Sequence, residues 1–204
     1  MAYAKRVLLS IAIGIGIIGG IVWLAARDEA PEASEKTQVA ASFYPLAYFT
    51  EQIGGSEVEV YTITPAGAEP HEYEPTAQDL VRIDQSDFLI LNGNGLEPWS
   101  DGIDHPHTII AGEGFKGDDP HVWLSPALAQ HMADRIAQGI GADSTTLKQK
   151  LQSLDIEFRQ GLRTCARRDI VTSHEAFGYL AAEYDLRQVP IAGLSTEDEP
   201  SSKE

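Results

Sequence analysis

The pattern of apolar and polar positions predicts short strands that alternate with helices from residue 37 onward. Short apolar segments predict strands at 37–43, 58–63, 88–91 and 108–111. A helix is expected at 46–53, and Thr76 is placed to cap another that runs to about residue 84. The segment 65–75 contains three prolines and reads as a loop. This alternation indicates an α/β fold with parallel strands.

A long helix is predicted from 145 to 164, because Leu147, Leu151, Leu154, Phe158 and Leu162 repeat at helical spacing. Another helix, which starts near Pro126, precedes it. Strands at 169–172 and 188–192, with a helix at 175–184 between them, are expected to follow. We therefore expect two lobes joined by a long rigid helix: a first lobe (37–144), a connecting helix (145–164) and the start of a second lobe (165–204). Three elements are too few to cover a sheet on both faces, so the second lobe is expected to be incomplete.

The N-terminus carries an uncharged run from 7 to 26 behind Lys5 and Arg6. As a helix this run would be about 30 Å long, enough to span a bilayer. The apolar core of a cleaved signal is usually shorter, at roughly 7–15 residues. We favour an uncleaved membrane anchor at 1–27 over a cleaved signal, with the rest of the chain outside the cytoplasm. The polar segment 28–36 is predicted to be an acidic tether.

Composition narrows the range of partners. The chain has 31 acidic and 15 basic residues and a formal charge of −16, which argues against nucleic acid and suits a protein that meets cations. Apolar residues make up 43% of the chain, enough for a globular core. The single cysteine, Cys165, excludes an internal disulfide and a cysteine-rich zinc module.

Three histidines share a context that predicts a metal site. His71, His121 and His174 each lie at, or just after, the C-terminal end of a predicted strand. In open α/β sheets ligands bind at that edge, so the three imidazoles can converge. A set of nitrogen ligands suits Zn(II), whereas Mg(II) and Ca(II) prefer oxygen. A water molecule or Glu69 could fill the fourth position, and Trp123 is expected to pack behind His121.

The other histidines are weaker candidates. His105 and His107 could form a surface loop that captures metal, but a solvated turn is the preferred interpretation. His131 is expected on a helix and exposed to solvent.

Several motifs occur in an order typical of one protein family. They are Ala-Ser-Phe-Tyr-Pro-Leu at 41–46, Pro-Ala-Gly-Ala-Glu-Pro-His-Glu-Tyr-Glu-Pro at 65–75, Leu-Asn-Gly at 91–93, Asp-Pro-His-Val-Trp-Leu at 119–124, Ile-Val-Thr-Ser-His-Glu-Ala-Phe-Gly-Tyr at 170–179 and Gln-Val-Pro-Ile-Ala-Gly-Leu at 188–194. With them the chain resembles, over about residues 37–204, the extracytoplasmic metal-binding component of zinc and manganese ABC importers.

The resemblance implies a metal ion in the cleft between two α/β lobes. The motif histidines carry over as ligands, His71 and His121 from the first lobe and His174 from the second. Zinc-type members keep histidine at the third position, where manganese-type members tend to have a carboxylate, so zinc is favoured over Mn(II). The family's last ligand position, an aspartate, has no counterpart in this sequence.

The expected function is therefore an extracytoplasmic, high-affinity zinc-binding protein that delivers the ion to the membrane permease of an ABC importer. A membrane-anchored surface or adhesion module with a structural metal is one alternative. A zinc hydrolase is another, with Glu72 or Glu175 as general base, but no HExxH-type pairing is present. We expect no enzymatic activity.

Overall fold

A sheet of four parallel strands forms the centre of the first lobe in the computed structural model, which describes residues 36–115 and 117–195. The strands are β1 (Thr37–Ala41), β2 (Val58–Thr62), β3 (Phe88–Leu91) and β4 (Thr108–Ile110). Their spatial order is β2-β1-β3-β4. The chain leaves β1 for β2 on one side and returns to β3 on the other. The strand order therefore reverses between β1 and β3, and ligands of α/β proteins bind at such a switch point.

Helices cover both faces of this sheet. They are α1 (Tyr44–Gly54), α2 (Ala77–Asp84), α3 (Pro126–Ile140) and α4 (Thr145–Leu162). Successive residues of β1 point to opposite faces, as expected for a strand. Ala40 packs with Ile83 of α2 on one face, whereas Val39 and Ala41 belong to the larger core that includes Met132 of α3 on the other.

Local sequence signals explain where the helices begin and end. Thr76 and Asp79 form a reciprocal capping box at the start of α2. The Ser125 side chain accepts a hydrogen bond from the backbone of Leu128 and caps α3, which ends at Gly141 in the left-handed conformation (φ 71°). The Asp143 carboxylate accepts from the backbone N–H of Thr145 at 2.7 Å, at the start of α4.

The apolar stripe of α4 packs in two different places. Leu147 and Leu151 are buried in the first-lobe core. Leu154 is 41% exposed, so this part of the stripe is not covered. Further along, the ring of Phe158 stacks on Tyr184 with 5.1 Å between centroids. The helix thus connects the first lobe to the beginning of the second, as expected.

The second lobe begins with two parallel strands, β5 (Asp169–Thr172) and β6 (Arg187–Pro190), and the short helix α5 (Gly178–Glu183) between them. The helix predicted at 175–184 starts three residues later than expected. Residues 173–177 are not helical, because the carbonyl of His174, which would accept the first hydrogen bond of a helix beginning at 175, accepts from Gln188 Nε2 and from the N–H of Ala176 instead. β6 ends two residues before the predicted 192, and β1 ends at Ala41, two residues before the predicted 43.

Some predictions fall outside the described residues. The predicted anchor at 1–27, and the tether at 28–36 except for its last residue, lie outside them and stay predictions. The residue limits of the two lobes stay predictions as well. Within 36–115 and 117–195, none of the helices combines the length and apolar character needed to cross a bilayer.

The contrast between Leu151 and Leu154 gives a matched test of the core. Leu151→Ala is expected to lower the free energy of unfolding by about 2–4 kcal/mol, because a buried side chain leaves a cavity. Leu154→Ala on the same helix carries the same change in helix propensity and should cost about 1 kcal/mol or less. Urea unfolding of both variants measures the difference. Equal losses would contradict the packing described for α4.

Candidate metal centre

The three predicted histidines converge at one site. Their candidate ligand atoms all lie within 4.8 Å of one another. The Nε2 atoms of His71 and His121 are 3.1 Å apart. His174 approaches from the second lobe, with its ring centroid 5.2 Å from that of His121 and 6.2 Å from that of His71. His121 is 2% exposed, and the other two are half-buried.

This spacing is close to what a tetrahedral ion requires. Zinc–nitrogen bonds of about 2.0–2.1 Å at the tetrahedral angle place two ligand atoms about 3.3–3.4 Å apart. The first-lobe pair, His71 and His121, already meets this distance to within a few tenths of an ångström. Among the described residues, no carboxylate or thiolate joins the three imidazoles in this cluster. Glu69 instead accepts a long hydrogen bond, 3.5 Å, from the backbone N–H of His71.

The loop that carries His71 is anchored through the carboxylate of Asp79. Tyr73, two residues after His71, donates its hydroxyl to Asp79 Oδ2 at 2.7 Å. Tyr61 of β2 donates to Oδ1. The hydroxyl and backbone N–H of Thr76 each donate to Oδ2 at 2.7 Å. One buried carboxylate thereby ties the loop to both a strand and a helix start.

This network shifts the pKa values of its members. Burial would raise the pKa of Asp79, but hydrogen bonds from Tyr61, Thr76 and Tyr73 lower it to about 2. The hydrogen bond to Asp79 raises the pKa of Tyr73 to about 12. Burial, followed by the same carboxylate, raises the pKa of Tyr61. The carboxylate is charged and the phenols are neutral over the physiological range.

His121 is oriented by Asp119. Oδ1 of Asp119 lies 2.8 Å from His121 Nδ1 and accepts from the His121 backbone N–H at 2.9 Å. A carboxylate on Nδ1 favours a proton there and leaves the Nε2 lone pair directed at the site. Trp123 packs against the imidazole as expected, with centroids 5.2 Å apart, and Phe43 contacts Trp123 edge-on.

A second buried carboxylate, Glu97, supports the segment that leads into His121. It accepts from Ser42 Oγ at 2.6 Å, Asn92 N at 2.8 Å and Gly93 N at 3.0 Å. Burial raises the pKa of Glu97, while these hydrogen bonds act against the increase. The side-chain amide of Asn92 then donates to the carbonyl of Pro120 at 2.9 Å, directly before His121.

The turn after β3 uses backbone conformations that favour glycine. Gly93, Asn94 and Gly95 have φ values of 82°, 54° and 79°, a left-handed region that glycine and asparagine tolerate best. This conformation directs the backbone N–H of Gly93 to Glu97.

His174 is held by the side chain of Gln188 on β6. Gln188 Nε2 donates to the carbonyl of His174 at 3.0 Å and to Thr172 Oγ1 at 2.8 Å. Its Oε1 accepts from the N–H of Phe177 at 3.1 Å. Both ends of the amide are used, so the loop from 172 to 177 is fixed on each side of His174.

The remaining histidines lie elsewhere. His105 and His107 precede β4 at the opposite, N-terminal edge of the parallel sheet. Nε2 of His105 is 3.1 Å from the Ser86 carbonyl, and Nδ1 of His107 is 3.0 Å from the Asp87 carbonyl. His107 is exposed in a turn, as that interpretation expects, whereas His105 is half-buried. His131 is exposed on α3, as expected.

Four supporting residues, Asp79, Asn92, Glu97 and Gln188, were not predicted from the sequence. Asp119, two residues before His121, lies like Asn92 and Gln188 in a family motif, but the sequence did not assign it a role. Its short separation from His121 is a signal that could have identified it. Asp79 follows Thr76 at the three-residue spacing of a capping box, which is also a local signal. Asn92, Glu97 and Gln188 have partners that no local pattern predicts.

Comparison with known proteins assigns a family to the chain. The family model described as "ZnuA: Zinc-uptake complex component A periplasmic" matches residues 39–204.

The chain belongs to the ZnuA family.

The resemblance seen in the sequence and the predicted α/β fold are thereby confirmed. A high-affinity zinc uptake system protein ZnuA of Bacillus subtilis (strain 168) is 33% identical over 216 residues, which cover 87% of this chain and 68% of that protein. The zinc-binding lipoprotein AdcA of Streptococcus pneumoniae (strain ATCC BAA-255 / R6) is 34% identical over 219 residues. That alignment covers 89% of this chain but 44% of AdcA, so the chain spans less than half the length of that relative.

Solved structures show the same ZnuA-type fold. The laminin-binding protein Lmb of Streptococcus agalactiae superposes with a TM-score of 0.77 at 30% identity, covering 83% of this chain and 73% of that one. The Zn(II)-bound ZnuA-like domain of Streptococcus pneumoniae AdcA gives a TM-score of 0.71 at 36% identity, covering 82% and 71%.

The depressed pKa of Asp79 predicts a specific acid dependence. Asp79→Asn should lower the free energy of unfolding by about 2 kcal/mol above pH 5. The folded-state pKa is about 2 and the ordinary value is 3.8, so this contribution is present above pH 3.8 and is lost as the pH falls toward 2. The difference in free energy of unfolding between wild type and Asp79→Asn should therefore shrink over that pH range. Urea unfolding at a series of pH values measures it.

Asp84→Asn, at an exposed position of the same helix, is the control, with an expected change of about 0.5 kcal/mol or less. A gap for Asp79→Asn that stays constant from pH 5 to pH 2 would refute the role given to this carboxylate.

Proposed function

We propose that this chain is an extracytoplasmic, high-affinity zinc-binding protein that delivers the ion to the permease of an ABC importer. The observation that carries the proposal is the convergence of three imidazoles, with two Nε2 atoms 3.1 Å apart. Family membership and relatives named as zinc-binding or zinc-uptake proteins support it.

The proposed ligands are His71, His121 and His174 in their neutral forms. Asp119 holds a proton on Nδ1 of His121, so that Nε2 offers its lone pair to the ion. A set of nitrogen donors favours zinc over manganese, which is better served by oxygen. A water molecule is the simplest fourth ligand, because Glu69 does not join the cluster.

Reversible capture follows from the division of the ligands between two parts of the chain. Two imidazoles come from the first lobe and are supported by buried networks. The third comes from a half-buried turn of the second lobe. Withdrawal of His174 would leave zinc with two protein ligands and promote its release to a permease. The predicted N-terminal anchor would keep the protein at the membrane surface.

A surface or adhesion module is the second candidate. This candidate is supported by similarity to Lmb of Streptococcus agalactiae, which is described as a bifunctional protein with adhesin and metal transporting activity. A purely structural metal would raise the melting temperature of this chain without exchanging rapidly, whereas transport requires exchange. An enzymatic role is not proposed, since the relatives named above are zinc-binding and zinc-uptake proteins.

The first experiment is a competitive zinc titration of the full 204-residue chain against a chromophoric chelator, with Mn(II) in parallel. One tight zinc site is expected, with much weaker Mn(II) binding. His71→Ala, His121→Ala and His174→Ala should each weaken zinc binding by about a hundredfold or more, because even the loss of an outer-shell partner costs about 10–100-fold.

His105→Ala and His131→Ala are the matched controls and should bind zinc like wild type, because both histidines lie away from the cluster. Circular dichroism checks that each variant is folded. Wild-type affinity in folded His174→Ala would exclude the second-lobe imidazole as a ligand. Equal affinity for Mn(II) and zinc would contradict the proposed selectivity.

A further inference from the structure

The second lobe contacts the first at the residue that orients His121. The hydroxyl of Tyr179, in the first turn of α5, donates to the backbone carbonyl of Asp119 at 3.1 Å. Asp119 uses its side chain to hold both the backbone N–H and the ring of His121. The same residue therefore touches a candidate ligand on one side and the second lobe on the other.

Because Gly178 has no side chain, α5 can approach Asp119 closely. A Cβ atom at position 178 would lie 2.9 Å from Asp119 Oδ2, shorter than real Cβ atoms tolerate. The carboxylate cannot simply turn away, because Oδ1 is engaged twice by His121. Glycine therefore permits this approach without displacing the carboxylate, although the φ angle of Gly178 is not in the left-handed region.

His174 lies only four residues before Gly178 in the chain. Its loop is fixed at Phe177 by Gln188, so a displacement of α5 is transmitted to His174. The cluster spans up to 4.8 Å, while a tetrahedral ion needs nitrogen atoms about 3.3–3.4 Å apart. The position of α5 against Asp119 is therefore well placed to decide whether His174 reaches the ion.

We propose that Asp119, Gly178 and Tyr179 form a positioning contact that sets His174 of the second lobe against the first-lobe pair His71 and His121. The contact exists only while α5 lies against Asp119. Loss of the contact lowers the fraction of molecules in the arrangement that can bind metal with all three imidazoles, and the apparent affinity falls by that fraction. The expected change in zinc affinity rests on the proposed zinc-binding function.

Tyr179→Phe tests the contact by removing one hydroxyl outside the ligand set. The variant is expected to bind zinc about fivefold more weakly, the factor that a typical hydrogen bond provides, mostly through faster dissociation. Tyr44→Phe, at a tyrosine that is 69% exposed, is the matched control and should behave like wild type. Wild-type affinity and dissociation rate in Tyr179→Phe would overturn the proposal.

A second measurement works without metal and so separates this inference from the proposed function. In EDTA, the melting temperatures of wild type, Gly178→Ala, Asp119→Ala and the double variant form a thermodynamic cycle. Alanine normally stabilises a helix relative to glycine, yet Gly178→Ala is expected to lower the melting temperature, because its methyl group meets Asp119.

In the Asp119→Ala background, Gly178→Ala should no longer be destabilising, because the obstructing carboxylate is gone. Equal shifts in both backgrounds would overturn the contact. If wild type binds no zinc, the proposed function fails, and the cycle in EDTA alone decides the inference. If wild type binds zinc but Tyr179→Phe is unchanged, the function stands and the inference fails.

Discussion

The centre of the first lobe depends on the hydrogen bonds that the buried carboxylate of Glu97 accepts. This carboxylate sits where the strand order reverses between β1 and β3, the crevice that ligands occupy in many α/β proteins. Here a protein side chain fills it, and binds Ser42 after one strand and the backbone of Asn92 and Gly93 after the other. Burying a carboxylate is costly unless its oxygens are satisfied, so these three donors are a condition of the fold.

The three histidines are held by hydrogen-bonded neighbours to different degrees, and they differ in burial. Asn92 holds Pro120, and the next residue, His121, is almost completely buried. His71 is one step further out, on a loop fixed by the network around Asp79, and is half-buried. His174 depends on Gln188 in a two-stranded sheet. This gradient suits the proposed site, in which two ligands would be preorganised and the third could move, since rigid positioning of all three would slow the proposed release.

The sequence predicted those parts of the fold and site that depend on local patterns. Each observed strand lies within or close to its predicted range, because short apolar segments between turn residues are a local signal. The start of α2 followed from the cap at Thr76. The three histidines could be grouped because each follows the C-terminal end of a strand, although His174 follows a strand of a second sheet. What escaped prediction depends on pairs that are far apart along the chain, such as Ser42 with Glu97. The late start of α5 also depends on such a distant pair, since Gln188 donates to the carbonyl of His174, the acceptor that a helix beginning at 175 would use first.

Charge and ligand chemistry act at different ranges in this protein. A net charge of −16 attracts every cation, so the long-range field raises the local concentration of ions without choosing among them. Selection must occur where ligand atoms meet the ion, and at the proposed site the cluster offers imidazole nitrogen. The nearest carboxylate partner of His121, Asp119, turns Oδ1 to Nδ1 of that ring, on the side away from the Nε2 that faces His71. An acidic protein thereby presents a nitrogen-lined centre, which disfavours the oxygen-preferring cations that its own charge attracts.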